Sequence, residues 1–194
     1  MQTAVVNVWA ETLFVVADMK KSIRIAFCGI ISALISVVMI ASLIPDVTLA
    51  VPAIAGLFII PVFAELGVGS AIACFIASSA VSFFVSDKTS WLVFVFLFGY
   101  YPILKPFLEK IKSSPLKWLL KAFVFNLAAV TGFLLARLTV GVELKGWWLI
   151  AALVVGNITF VLYDIAVSRM AALYYIKLHK RISSILKKDG ESRT

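Results

Sequence analysis

The chain has 194 residues, of which 62% are hydrophobic and only 14% charged, and its mean hydropathy is +1.06. Soluble domains average about 45–50% apolar and about 25% charged residues. This composition therefore excludes an ordinary water-soluble fold and predicts a single membrane domain. The formal net charge of +8 does not indicate nucleic-acid binding, because the basic residues flank apolar segments, where they act as topology signals and contacts to anionic lipid.

The N-terminal residues 1–18 are moderately apolar, but they are few and are interrupted by Glu11. They fit neither a membrane span nor a signal peptide. A second methionine, Met19, opens a basic and then apolar stretch that resembles a fresh N-terminus. Two interpretations stay open: Met19 is the true start, or residues 1–18 are an extension that lies at the membrane interface.

Six apolar segments follow, and each is predicted to be a transmembrane helix. The predicted spans are 25–44, 50–64, 68–85, 91–104, 118–138 and 147–175. Pro61 is expected to kink or shorten the second span, and Gly67 is expected to form the return to the third. The prediction is an all-α, polytopic membrane protein with a six-helix domain over residues 19–180 and a basic tail over residues 181–194.

Lysine and arginine are distributed unevenly around these spans. Six spans place both termini on one side together with the segment 105–121, and that side carries fifteen of the eighteen Lys and Arg residues. The other side carries only Lys88, Arg137 and Lys145. Positive charge collects on the cytoplasmic side of membrane proteins, so both termini and the basic tail are predicted to be cytoplasmic.

The sequence contains no recognisable motif for catalysis or for a bound metal. The single histidine, His179, lies in the basic tail, and no glycine-rich nucleotide loop is present. Cys28 and Cys74 both lie inside apolar runs, which is typical of small packing residues. We therefore expect no enzymatic activity, no cofactor and no metal site.

Polar residues inside the spans are the candidates for a substrate site, because they are costly in a membrane. Asp164 is the strongest ionisable candidate and lies about 25 Å along an ideal helix from Trp147, toward the inner surface. Asn157 precedes it by one heptad on the same helical face, near the middle of the membrane. The residues predicted to bind substrate are Asn157, Asn126, Trp147 and Arg137. Two alternatives stay open: the asparagines form hydrogen bonds between helices, and Arg137 and Trp147 anchor the chain at the membrane interface, which is the favoured role for these two.

A further polar layer is predicted near the inner membrane surface. Its members are Glu65, Tyr100, Tyr101, Lys105 and Asp164. The layer either docks a partner protein or braces the bundle, with Asp164 paired to Lys105, Lys121 or Arg169. Bracing and docking are both favoured over direct contact with a substrate.

Small residues recur through the first span. Gly29, Ala33 and Ser36 follow one another at spacings of four and three, which places them near one helical face. A face of small residues lets a neighbouring backbone approach closely. The face either packs within the bundle or docks another subunit.

The sequences ALISVV in the first span and VPAIAGLFIIPVFAELGVGSAIACFIASS across the second and third resemble the S components of energy-coupling-factor transporters. GYYPILKPFLEK also resembles a signature of small uncharacterised bacterial membrane proteins. The resemblance covers about residues 20–180 and implies a bacterial plasma-membrane subunit that binds a small nutrient, such as a vitamin or its precursor. It implies docking through the first helix, at Gly29, Ala33 and Ser36, onto a transmembrane coupling subunit with two ATPase subunits.

A second function is compatible with the same architecture. A six-span scaffold in cell-envelope assembly would use the inner polar layer and the basic tail to bind proteins or anionic lipid. A membrane enzyme acting on lipid has little support among the residues.

Overall fold

The computed structural model describes residues 21–44, 47–139, 141 and 147–177. The predicted extension 1–18 and tail 181–194 lie outside these residues. Every regular element in the described part is helical. The helices are α1 (Lys21–Ile40), α2 (Ala50–Leu57), α3 (Ile59–Val85), α4 (Lys88–Val93), α5 (Tyr101–Glu109), α6 (Ser114–Thr139) and α7 (Trp147–Lys177).

Five segments of the described chain are long enough and apolar enough to cross a membrane. They are Ser22–Leu43, Ile59–Val85, Lys88–Glu109, Ser114–Thr139 and Ile150–Ile176. They contain 22 to 27 residues, so the shortest is about 33 Å long as an ideal helix, against a hydrocarbon core of about 30 Å. By length and composition, the predicted all-α, multi-pass membrane architecture is confirmed.

The region predicted as the second and third spans is organised differently. α2 ends at Leu57 and α3 begins at Ile59. Pro61 lies in the first turn of α3, where its missing N–H interrupts no helical hydrogen bond. At Gly67 the backbone leaves the helical conformation, with φ 76° and ψ −175°, a left-handed conformation that favours glycine. Five candidate segments thus stand where the sequence predicts six spans, and a sharp break lies at the predicted return.

The segment Lys88–Glu109 combines α4, a π turn at Phe94–Phe98 and α5. The Asp87 side chain caps α4. It accepts hydrogen bonds from the backbone N–H groups of Thr89 (2.9 Å) and Ser90 (3.2 Å). The predicted fourth span ends at residue 104, but the apolar segment extends beyond that residue. Lys105 is buried in α5 because its ammonium group is bonded to Asp164, and α5 continues to Glu109.

Three parts of the chain meet at one end of the bundle. Arg24, near the start of α1, donates to the backbone oxygen of Leu66 at 3.4 Å and to Ser70 Oγ at 3.1 Å. Tyr174, near the end of α7, donates to Glu65 Oε1 at 2.6 Å. The start of α1, the break at Gly67 and the end of α7 are therefore neighbours.

The core consists of two apolar clusters. The first joins α1, α2 and α3, with Phe94 and Ile103 packed against them. The second joins α3 to α5, α6 and α7 and is largely aromatic. Its buried members are Ile60, Phe98, Tyr101, Phe125, Phe160, Tyr163 and Val167.

Candidate functional site

The most concentrated polar feature of the described chain is a group of mostly buried polar and charged side chains around Asp164, which we call the Asp164 cluster. Its members are Tyr101, Lys105, Glu109, Lys121 and Asp164. The Asp164 carboxylate accepts hydrogen bonds from the Tyr101 hydroxyl and from the ammonium groups of Lys105 and Lys121. These donors come from α5 and α6, so one carboxylate on α7 joins three helices.

Lys121 is the centre of the cluster and its side chain is only 2% exposed. Its Nζ donates to both carboxylate oxygens of Asp164, at 3.0 and 3.2 Å, and to Glu109 Oε1 at 2.6 Å. These three acceptors match the three N–H donors of an ammonium group. The buried positive charge is thereby fully hydrogen-bonded, which is the condition for retaining such a charge in a protein interior.

Glu109 lies at the rim of the cluster. Its side chain is 40% exposed, and its second carboxylate oxygen accepts a hydrogen bond from Lys117 at 3.2 Å. The cluster therefore passes from a buried ion pair at Asp164 to a partly exposed one at the end of α5. This gradient matches the transition from apolar span to polar connection at residues 110–113.

Aromatic side chains enclose the other side of the cluster. The Tyr101 and Phe160 rings meet edge to face at 5.1 Å between centroids, and Phe160 stacks on Phe125 at 4.5 Å. Tyr163 donates its hydroxyl to the backbone oxygen of Phe98 at 3.0 Å. This apolar wall lowers the local dielectric, which strengthens the ion pairs that it covers.

The predicted inner polar layer is only partly brought together. Tyr101, Lys105 and Asp164 meet in the cluster, whereas Glu65 is buried elsewhere, against Tyr174 at the end of α7. Tyr100, beside Tyr101 in sequence, is half-buried and precedes α5. The predicted pairing of Asp164 with Lys105 or Lys121 is seen with both lysines.

Sequence reasoning missed Glu109 and Tyr174 as members of these polar contacts. Glu109 carries a usable signal, because it is the single acid among the five lysines between residues 105 and 121. Lys121 lies twelve residues after it, about three helical turns, but the turn between α5 and α6 brings the two together. Tyr174 gives no local signal, since its partner Glu65 is 109 residues away.

Asn126 and Asn157, both predicted to bind substrate, are hydrogen-bonded to each other. Each side-chain amide donates to the other's oxygen at 3.0 Å, which links α6 to α7. Each also donates to the carbonyl four residues earlier in its own helix, at 2.8 Å. Both side chains are half-buried. The two amides are therefore hydrogen-bonded to each other and still partly accessible.

We expect Asn126→Ala and Asn157→Ala each to destabilise the protein by about 0.6–2 kcal/mol, the range for interhelical hydrogen bonds in membranes. The double variant should lose little more unfolding free energy than either single variant, because either substitution already breaks the hydrogen bonds between the two amides. Reversible unfolding in mixed detergent micelles measures all three free energies. Strictly additive losses would contradict a direct interaction between the two amides.

Arg137 and Trp147, the other residues predicted to bind substrate, lie where α6 ends and α7 begins. Both side chains are exposed, Arg137 in the last turn of α6 and Trp147 at the first position of α7. Neither lines either of two surface clefts, one beside Phe83 and Trp91 and the other between α1 and α3. Their role in substrate binding stays a prediction.

The small residues of α1 divide between two faces. Gly29 and Ala33 are exposed, whereas Ser36 is buried and donates to the backbone oxygen of Ser32 at 2.9 Å. A cleft of about 490 Å³ runs beside Gly29 between α1 and α3. Cys28 and Cys74, which also line it, are both free thiols.

Within the described ranges, no group of three His, Cys, Asp or Glu side chains could hold a metal ion. Comparison of the chain with protein-family models, curated proteins and solved structures finds no match. The interpretation of function therefore depends on the residues and their geometry. The geometry consists of a braced ion cluster, an amide pair between α6 and α7, and an outward small-residue face on α1.

Proposed function

We propose that the chain is the substrate-binding membrane subunit of an importer of the energy-coupling-factor type, which takes up a small nutrient such as a vitamin or its precursor. The observation that carries this proposal is the outward position of Gly29 and Ala33 on α1. It agrees with the resemblance of the sequence to S components, which dock a coupling subunit through the first helix.

The α1 surface has the shape that close helix packing requires. A Cβ placed on Gly29 would meet no heavy atom within 4 Å, so the glycine is not needed for packing inside the bundle. Ala33 lies one turn farther along the same exposed stripe. Small residues at this spacing let a second helix approach the backbone and bury it by dispersion contacts. The proposed occupant is a transmembrane helix of the coupling subunit.

The proposed topology has six passes, with both termini in the cytoplasm of a bacterial cell. A reversal at Gly67 would make residues 50–66 and 68–85 two separate passes. Two sets of contacts support it. Gly56 approaches Tyr163 while Glu65 contacts Tyr174, so this part follows α7 toward its C-terminal end. Beyond Gly67 the chain runs along α1 and away from that end, because Ser70 contacts Arg24 and Cys74 contacts Ser32, two turns farther along α1.

The proposed substrate site is the half of the bundle between the Asn126–Asn157 pair and the outer ends of α6 and α7. The two amides satisfy each other and could exchange that bond for one to a ligand at little cost. Arg137 and Trp147 would line the mouth of the site. If so, Asn157→Ala weakens nutrient binding by more than its effect on stability explains.

Transport would then use energy supplied by the partners. The nutrient binds in the outer half, and the subunit docks its α1 face onto the coupling subunit. ATP hydrolysis by two ATPase subunits reorients the bundle and releases the nutrient into the cytoplasm. In this scheme the Asp164 cluster keeps α5, α6 and α7 together as one body while the bundle moves.

The docking surface is tested by adding bulk to α1. We expect Gly29→Leu combined with Ala33→Leu to reduce co-purification of the coupling subunit and ATPases from native membranes at least tenfold, because the side chains would hold the partner helix away. The bundle itself should fold normally, since both positions are exposed. Quantitative mass spectrometry of tagged chain, purified in mild detergent, measures the recovery.

Ala152→Leu is the matched control, because it adds similar bulk at an exposed alanine of α7. It should leave recovery of the partners unchanged. If the α1 double variant recovers as much coupling subunit and ATPase as the unsubstituted chain, docking through this face is contradicted. Recovery of cell-envelope assembly proteins in place of ATPases would favour the scaffold function.

A further inference from the structure

The end of the bundle at the α5–α6 connection carries an excess of positive charge. Five lysines and a single glutamate lie between residues 105 and 121. Among the described ion pairs, Asp164 and Glu109 are the only acids that meet these lysines. Two carboxylates therefore pair with three of the five ammonium groups, those of Lys105, Lys117 and Lys121, and the other two lysines are exposed.

Lys110 and Lys112 are those other two lysines. Both side chains are exposed, and neither has a carboxylate within ion-pairing distance in the described part of the chain. The Lys110 ammonium lies 5.3 Å from the centre of the Phe107 ring, a cation–π contact. The Lys110 ammonium is thus held beside an apolar ring, and both lysines are exposed, so their hydrogen-bond donors are available to a ligand.

An exposed apolar stripe begins at Leu116, four residues after Lys112 in the chain, and runs along the outside of α6. Leu116, Leu119, Phe123 and Leu127 are each more than half exposed and recur every three or four residues, so they share a helical face. Trp118, in the same turn as Leu116 and Leu119, is also 45% exposed. A tryptophan at this level is typical of the boundary between hydrocarbon and headgroups.

We propose that this surface, formed by Lys110, Lys112 and the outer stripe of α6, binds an anionic phospholipid. The lysines meet the phosphate and the negatively charged headgroup, while an acyl chain lies along Leu116, Leu119 and Phe123. A lipid fits better than a soluble anion, because the apolar stripe continues for three turns of α6 and faces the membrane. Lys117 and Lys121 are already paired with Glu109, which leaves headgroup recognition to Lys110 and Lys112.

The test compares two lipids that have identical acyl chains. Phosphatidylglycerol and phosphatidylcholine are titrated separately into the full chain in neutral detergent, and native mass spectrometry gives the dissociation constant of each. We expect phosphatidylglycerol to bind more tightly. Lys110→Gln combined with Lys112→Gln should weaken its binding by roughly 25-fold, about fivefold for each lysine near an anionic headgroup.

Two further variants separate charge from folding and from general surface effects. Lys110→Arg combined with Lys112→Arg keeps both charges and should retain binding within about threefold. Lys88→Gln removes an exposed lysine from the opposite end of the Lys88–Glu109 segment and should leave binding unchanged. Equal affinities for the two lipids, or equal losses in Lys88→Gln and the double Gln variant, would overturn the proposal. This result is independent of docking through α1.

Discussion

Asp164→Asn is expected to lower the free energy of unfolding by about 3–5 kcal/mol, the cost of removing one partner from a buried ion pair. The substitution leaves the buried Lys105 ammonium without the carboxylate that its described ion pair supplies. It also leaves Lys121 with Glu109 alone. Unfolding in mixed detergent micelles, followed by circular dichroism, measures the loss.

Asp87→Asn is the matched control for this substitution. Asp87 caps α4 through two backbone N–H groups, and asparagine caps helices about as well as aspartate, so stability should change by only a few tenths of a kcal/mol. Adding Lys105→Met to Asp164→Asn should recover part of the loss, since the unpaired buried charge is removed. A change below about 0.5 kcal/mol for Asp164→Asn would refute the bracing role of the cluster.

Gly56→Ala is expected to destabilise the protein by about 1–3 kcal/mol or more, through overpacking. A Cβ at Gly56 would lie 2.5 Å from the Tyr163 hydroxyl and 2.7 Å from the backbone oxygen of Phe98. The tyrosine cannot simply turn away, because its hydroxyl is bonded to that same carbonyl. The methyl group therefore has to move α2 away from the π turn and α7.

The same unfolding measurement on Gly29→Ala provides the contrast. The site has open space around a Cβ, and alanine favours a helix over glycine by about 0.5–1 kcal/mol. We therefore expect Gly29→Ala to be neutral or slightly stabilising in the isolated protein. Equal effects of the two variants on the free energy of unfolding would contradict the close approach at Gly56.

Hydropathy predicted the membrane architecture because a long apolar segment in lipid satisfies its backbone hydrogen bonds on its own only as a helix. The predicted span 91–104 lies within Lys88–Glu109, and the predicted span 118–138 lies within Ser114–Thr139. The sequence predicted a kink or a shortening of 50–64 at Pro61, but not a new helix that begins at Ile59. A proline such as Pro61 is compatible with a kink inside a helix or with the first turn of a new one, and only the surrounding packing decides between them.

Asp164 could be recognised as a paired buried charge because an unpaired carboxylate within a span is too costly. Lys105 and Lys121 were therefore among its predicted partners. Sequence alone could not show that both bind it at once, or that Arg169 lies outside the described ion pairs. These outcomes depend on the rotation of α6 about its own axis, and a helix that is apolar nearly all round gives little periodic signal for that rotation.

The face of α1 illustrates the same limit. Gly29 and Ala33 form one stripe, and Ser32 and Ser36 form the neighbouring stripe. Both stripes consist of small residues, so composition does not indicate which one faces the bundle. Contacts with α3 decide it: Ser32 donates to the backbone oxygen of Cys74 at 3.3 Å, which leaves Gly29 and Ala33 on the outside.

The central proposal is that this protein binds a nutrient and delivers it to a shared, ATP-driven coupling machine. Native mass spectrometry of the protein, gently purified from its own membranes, tests this most directly. The proposal predicts a complex of this chain with a transmembrane coupling subunit and two ATPases, and a single small molecule retained on the chain. A chain that carries no small molecule and is isolated only with cell-envelope assembly proteins would contradict it.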